Sequence, residues 1–108
     1  MKIDSTFLGL TVVTDIELNS GDLEETAELL RGCLAILRHQ KGFHGAALHR
    51  CVDQPRWLLY AQWDTWDDWN DTLFSRQWED GPGAQLWEQI AQQRLRLSPT
   101  VYSVMATA

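Results

Sequence analysis

Three tryptophans, Trp63, Trp66 and Trp69, stand within seven positions of the chain. They fall where an apolar segment ending in Tyr60-Ala61-Gln62-Trp63 meets a polar segment that begins at Asp64. A buried indole must find a partner for its N–H, so tryptophan is a demanding way to fill a core. Three at one corner predict a cavity walled by flat aromatic surface, suited to an aromatic ligand. The alternative is an ordinary core, since an aromatic stripe at helical spacing is often only that.

The first half of the chain predicts a strand and a helix that ends at a glycine. Residues 7–18 are rich in β-branched and apolar types, which favours a strand. Asp22, with Glu25 three residues later, forms a capping-box pattern for a helix that ends near Gly42, with residues 39–41 in its last turn. The apolar positions of this helix lie on one face and are Leu23, Ala27, Leu30, Leu34 and Leu37.

The second half predicts two strands, a helix and a last strand. Residues 43–52 and 56–63 are the strands, and Thr65 with Asp68 caps the second helix. This helix is expected to pause near Gly81-Pro82-Gly83, to continue over 84–95, and to stop at Ser98-Pro99 before a strand over 100–105. The order β-α-β-β-α-β predicts an α+β, ferredoxin-like fold with a four-stranded antiparallel sheet. Both helices then cover one face, and the bare face predicts pairing with a second copy.

The central hairpin predicts which side chains surround the cavity. If Asp53-Gln54 is a two-residue turn, partner numbers sum to 107 along both strands. The opposing pairs on one face are then His44 with Trp63, Ala46 with Ala61, Leu48 with Leu59, and Arg50 with Trp57. Helix two would cover this face with Trp66, Trp69, Asn70 and Leu73, and Thr14 would approach from the first strand. His44 is the only member of this set with a pKa suited to accepting a proton near neutrality.

Length and charge limit the class of protein. The 108 residues predict one domain over 1–108, and a net charge of −6 with no basic stripe argues against nucleic acid. No signal peptide or membrane-length apolar run is found, which predicts a cytoplasmic protein without a membrane partner. Cys33 and Cys51 do not have the spacing of a zinc or redox motif, so no metal is expected.

The segment Lys41-Gly42-Phe43, the strand Leu58-Leu59-Tyr60-Ala61-Gln62-Trp63 and the aromatic start of helix two resemble the antibiotic biosynthesis monooxygenase superfamily. More narrowly, they are similar to small cofactor-independent monooxygenases of aromatic polyketide pathways. The resemblance covers about residues 8–105. It implies a homodimeric α/β-barrel with one pocket per subunit, no cofactor, and O₂ reacting directly with an electron-rich anthrone-type substrate.

The resemblance also assigns roles to residues. Trp63 matches the tryptophan that family members place near the substrate carbonyl or the oxygen. Leu59 stands where many members have asparagine, Leu48 where a tyrosine is common, and Trp69 where helix two usually has tyrosine. With these polar groups replaced, His44 is the expected base and the Trp63 N–H the expected donor. The substrate-binding residues are then expected to be Thr14, Leu48, Arg50, Leu59, Trp66, Trp69, Asn70 and Leu73.

Three functions remain open at this level. One is a cofactor-independent monooxygenase acting on a polycyclic aromatic polyketide in antibiotic biosynthesis. Another is a cyclase or isomerase of the same fold, which the leucine at position 59 favours because it removes a donor to the reacting oxygen. The last is a non-catalytic dimer that binds an aromatic ligand.

Overall fold

The structure is a computed structural model, and it describes residues 9–72 and 81–106. Within these two ranges, seven elements follow one another in the order β-α-β-β-α-α-β. They are β1 (Leu10–Leu18), α1 (Leu23–Leu37), β2 (Phe43–Arg50), β3 (Arg56–Trp63), α2 (Trp66–Thr72), α3 (Gly81–Ala91) and β4 (Leu95–Ser103). Within these ranges, no helix is long and apolar enough to cross a membrane.

The four strands form one antiparallel sheet in the order β2-β3-β1-β4. This is the predicted ferredoxin-like fold, and α2 and α3 are the described parts of the predicted second helical segment. The sheet face that carries Val12, Ile16, Ala61 and Trp63 is buried with the apolar side chains of α1 and α3. Strand alternation places Val13 and Tyr60 on the opposite face, where no helix packs among the described elements.

Two predicted helix caps are confirmed. Asp22 accepts a hydrogen bond from the Glu25 backbone N–H at 2.9 Å, and Thr65 accepts one from the Asp68 N–H at 3.1 Å. Each side chain satisfies an N–H that the first helical turn leaves without a partner. Gly42 has φ +78°, as the predicted left-handed exit requires, although α1 itself ends at Leu37 and residues 39–41 follow it.

The predicted hairpin register is confirmed from Gly45 to Arg50 and is wrong at its open end. A bulge between Phe43 and Gly45 places Phe43, not His44, opposite Trp63. The rings of Phe43 and Trp63 meet edge to face at 5.4 Å. The bulge pairs an apolar ring with a buried indole, and it leaves His44 half-exposed against the Asp64 carboxylate.

The predicted extent of the last helix is also wrong. α3 ends at Ala91, and the left-handed Gln93 (φ 59°) turns the chain into β4, which begins at Leu95. Pro99 does not stop a helix here, because it lies within β4 opposite Thr14. Proline is tolerated in this strand because β4 is an edge strand, so one side of its backbone needs no partner.

Candidate functional site

A cavity of about 240 Å³, which we call the ring cavity, lies between the sheet and the three helices. Its wall is almost entirely apolar. The sheet contributes Val12, Thr14, Ile16, Leu48, Leu59, Ala61, Trp63, Leu97 and Pro99, and the helices contribute Leu30, Cys33, Leu34, Leu37, Trp69, Thr72, Leu86, Trp87 and Ile90. Such a lining suits a flat hydrocarbon ring and offers few groups to orient it.

Trp63 supplies the most informative polar atom of the wall. Its side chain is 1% exposed, and its Nε1 is the buried side-chain nitrogen or oxygen that lacks a hydrogen-bond partner among the residues described. An unsatisfied buried donor costs roughly 1–3 kcal/mol, so native structures rarely keep one without a use. Nε1 is closed to solvent in this conformation, so a ligand oxygen reaches the N–H only if a neighbouring side chain moves aside.

The other polar groups of the wall are weaker candidates for a role in the reaction. Thr72 donates its hydroxyl to the Asp68 carbonyl at 2.9 Å, and Cys33 donates its thiol to the Pro82 carbonyl at 3.5 Å. Thr14 is 7% exposed at the centre of β1. Across the described ranges, no three His, Cys, Asp or Glu side chains come close enough together to hold a metal ion.

Burial raises the pKa of the Cys33 thiol from 9.0 to about 12, because a thiolate loses its hydration in this apolar wall. The thiolate is the reactive form of cysteine, so Cys33 is not a nucleophile near neutrality. The unfolded thiol ionises near pH 9.0 and the folded one near 12. This difference stabilises the fold fully below pH 9, and the contribution is lost as pH rises through that window.

We therefore expect the two cysteines to react at very different rates. With iodoacetamide at pH 8, Cys51, which is partly exposed, should be alkylated well before the buried Cys33. Intact-protein mass spectrometry should show one adduct on the folded protein and two in urea. Rapid formation of two adducts on the folded protein would contradict the assignment of Cys33 to a closed apolar wall.

The ring cavity brings together five of the predicted site residues. They are Thr14, Leu48, Leu59, Trp63 and Trp69. Trp66 and Asn70 are not part of this lining, although Trp66 packs edge to face on Trp69 at 6.1 Å and is 50% exposed. Leu73 lies outside the described residues.

His44 does not line the ring cavity, contrary to the predicted position across from Trp63. The bulge takes it out of the paired register, and its Nε2 contacts Asp64 Oδ1 near the surface. A base that acts on a ligand must reach within hydrogen-bond distance of the proton it removes, directly or through one water. This geometry therefore removes the argument for His44 as the base.

Arg50 lies beside a second cavity of about 350 Å³, which we call the arginine groove. The groove runs between α1 and the edge strand β2. It is lined by Ala27, Arg31, Leu34, Leu48, Arg50 and Trp57. Leu34 and Leu48 also line the ring cavity, so the two cavities are neighbours with a shared wall.

The sequence prediction missed the helical half of the ring cavity. Its members on α1 and α3 include Leu30, Cys33, Leu86 and Ile90. The signal was present as helical periodicity: Leu30, Cys33 and Leu37 recur every three or four residues, as do Gly83, Leu86 and Ile90. The predicted cavity took its helical side chains from the start of the second helix alone, so the stripes on α1 and α3 were not included in it.

The chain matches the antibiotic biosynthesis monooxygenase family over residues 9–83, and it therefore belongs to that family. The match covers β1 through the first turn of α3, and so includes Trp63 and most of the sheet face beneath the ring cavity. No curated protein matches this chain at a significant level.

Solved structures share the fold at low sequence identity. SnoaB from Streptomyces nogalater, a cofactor-independent oxygenase, is 18% identical with a TM-score of 0.70, covering 91% of this chain and 94% of SnoaB. PA3566 from Pseudomonas aeruginosa is 16% identical with a TM-score of 0.72 over 90% and 94% of the chains. Rv0793 from Mycobacterium tuberculosis is 15% identical with a TM-score of 0.71 over 92% and 98%. At these identities the likeness is one of fold.

Proposed function

We propose that this chain is a cofactor-independent monooxygenase that oxidises a polycyclic aromatic polyketide of the anthrone type in antibiotic biosynthesis. The observation that carries the proposal is the unpartnered Trp63 N–H in the wall of an apolar ring cavity. A ring carbonyl that gains negative charge as the substrate becomes an enolate is a suitable acceptor for that donor. Membership of the monooxygenase family and the fold shared with SnoaB support the same reaction class.

The proposed reaction balances without an external reductant. The substrate methylene loses a proton, and the resulting carbanion passes one electron to O₂. The two radicals combine to a peroxide, whose O–O bond breaks as the second methylene hydrogen leaves as a proton. The methylene becomes a carbonyl and the second oxygen atom leaves as water. The role of the protein is to hold the ring, to donate a hydrogen bond from Trp63 to the enolate oxygen, and to exclude bulk water.

The lining offers no ready general base among its described residues. Cys33 is its one titratable side chain, and the pKa of about 12 keeps that thiol protonated. A hydroxylated anthrone is instead proposed to lose its proton to water as it binds, with Trp63 stabilising the anion. The reaction rate should then follow the ionisation of the substrate.

A second candidate is a polyketide cyclase or isomerase of the same fold. Leu48 and Leu59 in the cavity wall favour it, because they place hydrocarbon where a second donor to the reacting oxygen would otherwise be expected. A ligand-binding dimer without catalysis is the corresponding third candidate. All three use the ring cavity, and they differ in whether O₂ is consumed and whether product forms.

Oxygen consumption distinguishes these candidates. The purified protein is mixed with 1,8-dihydroxyanthrone in air and under nitrogen, with spontaneous oxidation subtracted. The proposal predicts that the protein accelerates formation of the quinone in air, with one O₂ consumed per quinone and no added flavin or metal. Product formation under nitrogen would favour the cyclase or isomerase, and binding without turnover would favour the non-catalytic dimer.

We also propose that two copies of this single domain (1–108) associate through the sheet faces opposite the helices. That face carries Val13, Tyr60 and the half-exposed Tyr102. A dimer would remove these apolar side chains from water. In sedimentation velocity at micromolar concentration the protein should be a dimer, and Tyr60→Asp should shift it toward monomer. The helix-face change Gln85→Asp is the control and should leave it dimeric; a monomeric wild-type protein would contradict the proposal.

A further inference from the structure

The arginine groove differs from the ring cavity in its charge. Arg31 on α1 and Arg50 on β2 bring two guanidinium groups to a lining that is otherwise hydrocarbon and the buried indole of Trp57. No carboxylate is part of this lining among the residues that the structure describes. The carboxylates that pair with these two guanidinium groups, on Glu24 and Glu28, belong to residues outside this lining.

The present partners of both arginines are replaceable. Arg50 Nη1 lies 3.0 Å from Glu24 Oε1, and Arg31 pairs with Glu28 one helical turn away. All four side chains are partly or mostly exposed, from 42% for Arg50 to 73% for Glu28. Exposed ion pairs of this kind contribute little stability, so a ligand anion can take the place of the glutamates. The planar guanidinium suits a carboxylate because it donates two parallel hydrogen bonds.

The two cavities are also complementary in size. Pockets that bind small molecules usually measure about 300–1,000 Å³, and the ring cavity alone falls below that range. With the arginine groove, which shares Leu34 and Leu48 with it, the combined space falls within the range. Both shared residues are leucines, whose side chains can change rotamer to let a substituent pass between α1 and β2.

We infer that the ligand of this protein is an anionic polycycle: its rings occupy the ring cavity, and a carboxylate on a ring substituent is bound by Arg31 and Arg50. The inference rests on the proposed function for the ring cavity and adds the charge and position of the substituent. Arg50 and Arg31 are therefore specificity determinants. They do not contact the reacting carbon.

Two anthraquinones provide a matched pair of probes. Rhein carries a carboxylate where chrysophanol carries a methyl group on the same dihydroxyanthraquinone ring, so their affinities differ through that substituent. Binding is measured by equilibrium dialysis at pH 7 and low salt. The variants are Arg31→Met and Arg50→Met, which keep an unbranched apolar stem. The control is Arg56→Met, because Arg56 lies 3.6 Å from Asp15 and 3.7 Å from Glu17 and lines neither cavity.

We expect wild-type protein to bind rhein about tenfold more tightly than chrysophanol, as charge-assisted hydrogen bonds in a partly exposed site would give. Arg31→Met and Arg50→Met should each reduce that ratio severalfold and leave chrysophanol binding within about twofold of wild type. Arg56→Met should preserve the ratio. Added salt should lower it, because the guanidinium groups are partly exposed.

The outcomes separate the two proposals. Equal binding of rhein and chrysophanol by the wild-type protein would overturn the arginine site and leave the ring cavity in place. A tenfold preference that survives in both arginine variants would place the carboxylate elsewhere and overturn it as well. Failure of both anthraquinones to bind would refute the ring cavity, and the arginine site with it.

Discussion

Replacement of Trp63 by phenylalanine should reduce kcat of the proposed oxidation by about 10²–10³-fold, the usual effect of removing one positioned donor to a developing oxyanion. Phenylalanine keeps an aromatic ring against Phe43 and removes the Nε1–H, which has no protein partner among the described residues. The measurement is steady-state oxidation of an anthrone with spontaneous oxidation subtracted.

Stability should respond differently from activity in Trp63→Phe. Removing an unsatisfied buried donor is favourable by roughly 1–3 kcal/mol, and the smaller ring loses packing of similar magnitude. Urea denaturation should therefore show little net change in the free energy of unfolding. The control is Trp66→Phe, because Trp66 is half-exposed and lies outside the cavity lining. If both variants retain wild-type kcat, the Trp63 N–H has no part in the reaction.

Replacement of Gly42 by alanine should lower the free energy of unfolding by roughly 2–5 kcal/mol. Gly42 has φ +78°, which is strained for any residue with a Cβ. A Cβ at this position would also lie 2.5 Å from Asp68 Cγ and 2.7 Å from Asp68 Cβ, whereas real Cβ atoms stay beyond 3.0 Å. Because the Asp68 Cβ is itself too close, rotating the carboxylate alone cannot relieve the contact, and α2 must shift. Urea denaturation measures the effect.

Gly81 provides a matched control for Gly42. It also has a positive φ, +61°, but a Cβ there would meet no atom within 4 Å. Gly81→Ala should therefore cost only the backbone strain, about 1–2 kcal/mol. A larger loss of unfolding free energy for Gly42→Ala than for Gly81→Ala would confirm that α2 packs closely against Gly42. Equal losses in the two variants would contradict that packing.

The fold was predictable because its signals are local. Asp22 and Thr65 predict the starts of two helices because each caps the first turn. Alternation along 56–63 determines which side chains share a face with Trp63. The pairing of six consecutive residues of β2 was predicted from the assumption that Asp53-Gln54 is the turn. These features depend on residues close in sequence, where propensity and spacing are reliable guides.

The errors arose where tertiary packing decided between local alternatives. At the start of β2, the strand bulges so that Phe43 packs against Trp63, and His44 faces Asp64. At β4, Ser98-Pro99 was interpreted as a helix stop, although Leu95, Leu97 and Val101 alternate as a strand does. Only the sheet order shows that Pro99 lies on an edge.

The most direct test of the site is the NMR signal of the Trp63 indole during ligand binding. In ¹⁵N-labelled protein each of the six tryptophans gives one indole N–H peak, and the peak missing from Trp63→Phe assigns Trp63. Titration with chrysophanol should move that peak downfield more than the peak of Trp66, because its free N–H gains a carbonyl acceptor. If chrysophanol binds and shifts other indole peaks while the Trp63 peak stays in place, the Trp63 N–H does not bind the ligand and the proposed site is wrong.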